Sequence, residues 1–157
     1  MQELLNTLTL GSIYLLFALG MALAWSTIGI LNFAHGATFV FAAFSAHVIS
    51  QHVTLSLPLI VLISVVVGAL VSTLTQWLAF EQILKRAKDH RSAELRILIG
   101  GIGVAAIPLA FVDKATAAAP FGFSGSSYRT EVFEFAGLRI TSTALIIIAA
   151  GLGIAIG

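Results

Sequence analysis

The sequence predicts an all-α fold, a polytopic transmembrane bundle of about five membrane helices with one short polar break. Hydrophobic residues make up 59% of the 157-residue chain and charged residues 10%, whereas soluble domains carry about 25% charged residues. The apolar residues are collected into segments of the length that a membrane helix needs, roughly 20 residues. Five of the eight basic residues fall between residues 85 and 96, where the third segment is connected to the fourth.

Five apolar segments follow one another along the chain. They cover about residues 8–28, 33–49, 57–80, 95–112 and 141 onward. The first and third are long enough to span a bilayer as helices. The second is short if it begins after Gly36, so the break before it is expected to lie partly within the membrane. Pro108 removes a backbone donor from the fourth segment and is expected to kink it.

The break itself is the segment Gly29–Gly36, with the sequence GILNFAHG. Hydrocarbon offers polar groups no hydrogen-bond partners, so Asn32 and His35 are costly there unless they line a cavity, pack on protein or reach water. An interruption of this kind is more typical of a protein that moves a solute than of an anchor. If the stretch is helical, Asn32, His35 and Gly36 share a face.

Two interpretations of the break are open. In the first, it begins a helix whose N-terminal amides face a pathway and suit a carboxylate. In the second, Asn32 only caps the second helix, and His35 bonds to a neighbouring carbonyl. Tyr14 and Trp25 lie near the same solute route in the first interpretation, but aromatic residues near span ends are also ordinary interface anchors.

The connections between the segments predict an orientation. No Lys or Arg occurs before residue 85, and five of the eight basic residues fall between residues 85 and 96. The positive-inside rule therefore predicts a cytoplasmic connection at 81–94 and an extracytoplasmic loop at 113–139, with the N-terminus outside. The connection at 81–94 is expected to contain an amphipathic helical turn. Within the second loop, the run 128–135 alternates enough to predict a short hairpin or extended strand. Glu81 and Lys85 have the spacing of an i,i+4 ion pair.

Helix packing and motion have their own candidates. Pro108, with three nearby glycines, makes the fourth segment a candidate hinge in alternating access, so the hinge residues proposed are Gly100, Gly101, Gly103 and Pro108. Small residues four apart allow close helix approach, a spacing seen in the pairs Gly68 and Ser72, Gly101 and Ala105, and Gly153 and Gly157.

Several functional classes are excluded or disfavoured. The basic residues are too few, and too mixed with Asp89 and Glu94, for a nucleic-acid interface. The absence of cysteine excludes disulfides and thiolate metal sites. His47 and His52 do not align on one helical face and have no carboxylate or cysteine companion, which favours interfacial residues over metal ligands. No nucleophile, base and acid form a set, so we expect no enzyme and no catalytic residue.

Residues 11–44, GSIYLLFALGMALAWSTIGILNFAHGATFVFAAF, resemble the start of a LivH/LivM-type permease. This family supplies the membrane subunit of branched-chain amino acid ABC importers. The segment GILNFAHG carries most of the resemblance. Phe80-Glu81 with the basic stretch after it, and LIGGIG at residues 98–103, also fit in position, although the family's proline after the basic stretch is missing.

The resemblance implies a single permease domain over residues 1–157, as the N-terminal part of a permease about twice as long. It implies a multi-pass protein of the bacterial inner membrane that imports branched-chain or related small amino acids. The implied partners are the lipid bilayer, a second permease subunit, two cytoplasmic ATP-binding subunits and an extracytoplasmic substrate-binding protein. This chain needs no cofactor, because the glycines at 100–103 lack the GK[ST] ending of a P-loop and ATP belongs to the partner.

The candidate pathway residues are Asn32, Phe33, His35, Gly36 and Tyr14. Three alternatives are open beside the amino acid importer. A permease of the same family for urea or short amides would look similar. A self-contained channel or secondary transporter would need an ionisable residue inside a span, and the interiors of the first, third and fourth segments carry none. A structural membrane subunit without transport is disfavoured by the polar break.

Overall fold

The computed structural model describes residues 2–29, 32–87, 89–123, 130–135 and 138–156. The elements are α1 (Gln2–Ile28), α2 (Ala34–His52), α3 (Leu57–Thr75), a π-helical turn (Gln76–Phe80), α4 (Glu81–Lys85), α5 (His90–Thr116), β1 (Val132–Phe135), β2 (Leu138–Thr141) and α6 (Ser142–Ile156). The segment α3, the π-helical turn and α4 follow each other without a gap, so the described residues form five continuous helical segments. The predicted all-α class is confirmed.

Three of these segments are long and apolar enough to cross a membrane. They are Gln2–Thr27, Leu57–Lys85 and Arg91–Thr116. The helix α2 has 19 residues but is less apolar, with polar residues such as His47, Ser50 and Gln51 in its last two turns. The helix α6 is apolar and has 15 residues. The chain is therefore a multi-pass membrane protein.

The connection 81–94 contains the helical turn expected of it and more helix besides, so its non-helical part is short. Glu81 and Lys85 form the expected i,i+4 ion pair at 2.7 Å and belong to α4. The helix α5 begins at His90, because Asp89 caps it: the Asp89 carboxylate accepts from the Ser92 amide at 2.6 Å. A charged stretch with this spacing supports helical turns as readily as a loop.

The predicted 113–139 loop is also shorter than expected. The helix α5 continues through Pro108 to Thr116, and Ala117 ends it in the left-handed conformation with φ of 51°. At the other end of this segment, the strand or hairpin predicted over 128–135 is confirmed in part: β1 lies within that run and its partner β2 lies beyond it, while residues 128 and 129 lie outside the described residues. The strands β1 and β2 pair antiparallel, with Val132 opposite Thr141 and Glu134 opposite Arg139. The Arg139 Nε lies 2.8 Å from Glu134 Oε1 across the pair.

The chain divides into two compact units. The terminal unit takes Met1–Ile28 and Arg129–Gly157, and the central unit takes Gly29–Tyr128. The helix α1, the hairpin and α6 thus belong to the terminal unit, whereas the helices α2 to α5 belong to the central unit.

In the terminal unit, α1 packs on α6 at a glycine. A Cβ on Gly151 would lie 2.9 Å from the Ser12 Cβ, so the two helices approach closely at this point. The predicted small-residue contact at Gly153 is wrong, because nothing lies within 4 Å of the position that a Cβ atom would take there. Its predicted companion, Gly157, lies outside the described residues.

The central unit is built around α2, which packs against both α3 and α5. The buried side chains of α2 are mostly small, so its neighbours approach closely: Ala34, Ala37, Thr38, Ala42, Phe44, Ala46 and Ser50. Two buried clusters mark the two ends of α2. One joins Ala34, Phe80 and Ile97, and the other joins Ala46, Leu55 and Ile60. The first of these clusters lies at the polar break.

Candidate functional site

The break between α1 and α2 is the candidate site. The helix α1 ends at Ile28, and Gly29 follows with φ of +72°, a left-handed conformation that glycine adopts without the strain of a Cβ atom. Ile30 and Leu31 lie outside the described residues. The chain is described again from Asn32, and α2 begins at Ala34. The predicted break is thus a true interruption between two helices.

Asn32 lies one residue before the N-cap position of α2, which is Phe33, and bonds to the first turn of this helix with both its side chain and its backbone. Its Oδ1 accepts from the Ala34 amide at 2.9 Å, and its backbone carbonyl accepts from the His35 amide at 3.2 Å. These bonds satisfy two of the amides that have no partner in the first turn of a helix. The capping interpretation of Asn32 therefore describes what its side chain does in this structure.

The other polar groups near the break are also satisfied. The buried Thr38 hydroxyl donates to the Ala34 carbonyl at 3.0 Å, and His35 is half-buried and makes a contact of its own. Among the described residues, no buried side-chain nitrogen or oxygen lacks a hydrogen-bond partner. Internal bonding of this kind removes most of the cost of placing polar groups at membrane depth.

The start of α2 packs directly on α5. A Cβ on Gly101 would lie 3.4 Å from the Phe33 nitrogen and 3.7 Å from the Ala34 nitrogen. Gly101 is buried, and Ala34 is only 2% exposed. The start of α2 thus lies within van der Waals reach of the Cβ position of Gly101. The structure thus brings a predicted pathway residue, Phe33, and a predicted hinge residue, Gly101, into contact.

The π-helical turn also packs against the contact between α2 and α5. Phe80, the last residue of the turn, is 3% exposed, and its Cζ lies 3.7 Å from the Cβ position of Gly101. A π-helical turn inserts an extra residue into the helical register, and such turns often occur at functional sites. This role of Phe80 could not be predicted from the sequence, since nothing in QWLAF distinguishes a π-helical turn from ordinary helix.

The four hinge candidates occupy different environments. Gly100 faces Ile83, whose Cδ1 would lie 2.7 Å from a Cβ at this position, and Gly101 faces the start of α2. Gly103 is exposed and has nothing within 4 Å of its Cβ position. Pro108 is half-buried within α5. Packing thus distinguishes Gly100 and Gly101 from Gly103, and the hinge role of all four stays a prediction.

An apolar groove of about 460 Å³ begins at the break. Its lining comes from α2, α3, the π-helical turn and α5: Ala34, Thr38, Phe41, Val71, Leu74, Thr75, Leu78, Ala79, Val104, Ile107, Pro108 and Phe111. Its walls are aliphatic and aromatic, and two threonines are its polar members. Its volume falls within the range of about 300–1,000 Å³ that is usual for small-molecule sites.

The remaining pathway candidates are placed as follows. Phe33 is 47% exposed at the break, and Asn32, His35 and Gly36 are half-buried there. Tyr14 is 64% exposed on α1 and belongs to the terminal unit. Asn32, Phe33, His35 and Gly36 therefore share one segment in the central unit, and Tyr14 is not part of it.

His47 has a structural environment at the other end of α2. Its Nδ1 bonds to the Gly122 carbonyl, so this nitrogen carries the proton. Its ring centroid lies 5.2 Å from that of Phe121 and 6.1 Å from that of Phe123. These contacts hold the segment after α5 against α2, a role that fits the prediction that His47 is not a metal ligand.

Comparison with known proteins gives the family. A family model described as "Branched-chain amino acid transport system / permease component" matches residues 3–156. The chain is 40% identical over 48 residues to the high-affinity branched-chain amino acid transport system permease protein BraD of Pseudomonas aeruginosa. It is 37% identical over 49 residues to the corresponding LivH proteins of Escherichia coli K12 and Salmonella typhimurium.

These pairwise matches are local. Each covers 31% of this chain and 16% of the relative. No solved structure matches the chain. The family model, in contrast, covers nearly all of it, including the break, the π-helical turn and α5. On this match, the chain belongs to the family of branched-chain amino acid transport system permease components.

Proposed function

We propose that this chain forms part of the translocation path of an ABC importer for branched-chain or related small amino acids. The observation that carries the proposal is the family match over residues 3–156, combined with a capped and packed helix break at Asn32–Gly36. Two relatives with matching segments are named as permease proteins of high-affinity branched-chain amino acid transport. The proposed location is the bacterial inner membrane.

The groove beside the break supports an apolar amino acid over the alternative substrates. Its lining of Val71, Leu74, Val104 and Ile107 offers apolar contact to a branched side chain, which is stabilised by roughly 25 cal/mol for each Å² removed from water. Urea or a short amide would gain little from such walls, and its polar groups would find only two hydroxyls. The break, with its half-buried Asn32 and His35, would receive the polar end of the substrate.

The driving force comes from partner proteins in this proposal. Two cytoplasmic ATP-binding subunits hydrolyse ATP, a second permease subunit completes the path, and an extracytoplasmic binding protein delivers the substrate. The glycines at 100–103 have a different role from a P-loop, because Gly100 and Gly101 lie in helix-packing contacts within α5. Coupling to an ion gradient would require an ionisable side chain within a span. In the span Gln2–Thr27 no Asp, Glu, Lys, Arg or His follows Leu4, and in the span Leu57–Lys85 none precedes Glu81.

The test is uptake by proteoliposomes that contain the chain assembled with its partner subunits. We expect ATP-dependent uptake of labelled leucine, and competition by valine and isoleucine but not by urea. Uptake of leucine without ATP would contradict the proposal that ATP hydrolysis drives import. Uptake of urea in preference to leucine would contradict the proposed substrate class.

A pair of variants on α5 tests the groove. Ile107 lines the groove and is 72% exposed, whereas Ile102 is 55% exposed on the same helix and is not among the lining residues. Ile107→Trp should reduce leucine uptake, because the larger side chain fills the groove. Ile102→Trp should leave uptake unchanged. Equal effects of the two substitutions would show that the groove is not part of the path.

A further inference from the structure

A second cavity lies where α4 ends and α5 begins, away from the break. It has a volume of about 360 Å³, and its lining residues are Gln82, Ile83, Arg86, Arg96, Ile99 and Gly100. Two guanidinium side chains thus share a cavity with two isoleucines and a glycine. The proposed function makes no use of this cavity.

Arg96 is held in place at the rim. Its Nη1 donates to the Arg86 carbonyl at 3.0 Å, a bond that spans ten residues of the chain. This bond ties the C-terminal end of α4 to the second turn of α5. A guanidinium has five N–H donors in a fixed planar arrangement, so most of the donors of Arg96 are left for a further acceptor.

The positive charge of the rim is only partly compensated. Between residues 85 and 96 the sequence has five basic and two acidic residues. Among the described residues, ion pairs join Lys85 to Glu81 and Arg139 to Glu134, and neither involves Arg86 or Arg96. The positive charge of Arg96 contributes to lowering the pKa of Asp89, but the Asp89 carboxylate accepts its hydrogen bond from Ser92.

The floor of the cavity is apolar, and the cavity lies between two candidate membrane spans, because Leu57–Lys85 ends and Arg91–Thr116 begins at this point of the chain. Ile99 is 69% exposed, and Ile83 packs so closely over Gly100 that a Cβ there would lie 2.7 Å from its Cδ1. Cationic groups above apolar ones, at the end of membrane helices, match the order of parts in an anionic phospholipid.

We propose that this cavity binds an anionic phospholipid of the surrounding bilayer. The lipid phosphate accepts hydrogen bonds from the guanidinium groups of Arg86 and Arg96, as arginine and phosphate pair well in geometry and charge. The first carbons of an acyl chain lie along Ile83 and Ile99. The bound lipid then bridges α4 and α5 on the same side as the Arg96–Arg86 bond.

The experiment uses the whole chain, purified and placed in nanodiscs of phosphatidylcholine with a graded fraction of phosphatidylglycerol. Native mass spectrometry counts the lipids that stay bound and gives an apparent affinity. Arg86→Gln is the cleanest variant, because it keeps the backbone carbonyl to which Arg96 bonds. Arg91→Gln is the matched control, since Arg91 is an exposed arginine of the same stretch that does not line the cavity.

We expect selective retention of phosphatidylglycerol over phosphatidylcholine. Arg86→Gln and Arg96→Gln should each weaken it by about fivefold, the effect of removing one basic residue near an anionic membrane surface. Arg91→Gln should bind the lipid like the unmodified chain. Ile99→Ser should weaken phosphatidylglycerol binding, because it removes an apolar contact to the acyl chain. Added inorganic phosphate should not displace the lipid from the unmodified chain, because phosphate has no acyl chain.

Three results would overturn the proposal. An equal loss with Arg91→Gln would mean diffuse attraction of the whole basic stretch rather than a site. Displacement of the lipid by millimolar inorganic phosphate would mean a site for a free anion. Unchanged lipid binding by both Arg86→Gln and Arg96→Gln would mean that the guanidinium groups of the cavity do not hold the lipid. None of these results bears on whether the chain transports amino acids.

Discussion

The backbone nitrogen of Phe33 lies 3.4 Å from the position that a Cβ atom would take on Gly101. Phe33 belongs to the polar break, and Gly101 belongs to the middle of α5. The start of α2 thus lies in van der Waals contact with the Cβ position of Gly101, on a long membrane helix.

This contact predicts the effect of enlarging Gly101. Gly101→Leu should lower the free energy of unfolding by about 1–3 kcal/mol, because extra atoms in a well-packed contact force the neighbours apart. The control is Gly103→Leu, which places the same side chain on the same helix where nothing lies within 4 Å of the Cβ position. Thermal unfolding in detergent measures both variants. Equal destabilisation by the two substitutions would disprove the special role of Gly101.

The cap at Asn32 makes a second prediction. Asn32→Ala removes the acceptor of the Ala34 amide and should destabilise the protein by about 1 kcal/mol, the usual cost of losing an N-cap. Asn32→Asp keeps an acceptor oxygen at this place and should retain most of the stability. The same unfolding measurement compares them. If Asn32→Ala is as stable as the unmodified chain, the cap contributes nothing.

Asp89 gives a prediction on pH. Hydrogen bonds from the Ser92 backbone and side chain, with a smaller contribution from Arg96, hold the pKa of Asp89 below its ordinary value of 3.8. A lowered pKa in the folded state means that the cap contributes its full stability above about pH 3.8 and loses it as the pH falls through the folded value.

The difference in stability between Asp89→Ala and the unmodified chain should therefore be present at pH 7 and shrink below pH 3.8. Unfolding midpoints measured from about pH 7 down to about pH 3 check this. The variant Glu131→Ala serves as the control, because it removes an exposed carboxylate that lies outside the helices. A difference that stays constant over the whole range would show that the charge of Asp89 does not support the cap.

The orientation can be tested because the chain has no cysteine. Single cysteines at Arg91, Thr54 and Glu131 all replace exposed residues. The positive-inside rule predicts that an impermeant thiol reagent added to intact cells labels Thr54→Cys and Glu131→Cys but not Arg91→Cys. Labelling after the cells are opened confirms that the third site is reactive. Labelling of Arg91→Cys alone in intact cells would show that the orientation is the reverse of the predicted one.

The sequence predicted the features that depend on local chemistry. A strand within residues 128–135, the ion pair of Glu81 with Lys85 and the break at Asn32 all follow from neighbouring residues, and all are present. The pairing strand Leu138–Thr141 lies beyond the predicted run. The capping alternative for Asn32 was also visible in the sequence, because an asparagine before a helix is a common cap.

The features that depend on tertiary contacts were missed. The spacing of small residues indicated Gly153, but α1 meets α6 at Gly151, since spacing alone does not say which face of a helix meets a neighbour. The π-helical turn at Gln76–Phe80 has no local signal, and it is Phe80, at the end of that turn, that closes the contact between Gly101 and Ala34.

The central claim is that the break borders the path of the substrate, and two histidines of α2 test it most directly. His35 lies in the break, and His52 is exposed at the opposite end of the same helix. The measurement is the initial rate of ATP-driven leucine uptake per folded transporter in proteoliposomes. We predict that His35→Ala lowers this rate by about fivefold, the effect of one lost hydrogen bond, and that His52→Ala leaves it unchanged. Uptake by His35→Ala at the rate of the unmodified protein would contradict the claim and reduce the break to a packed junction between two helices.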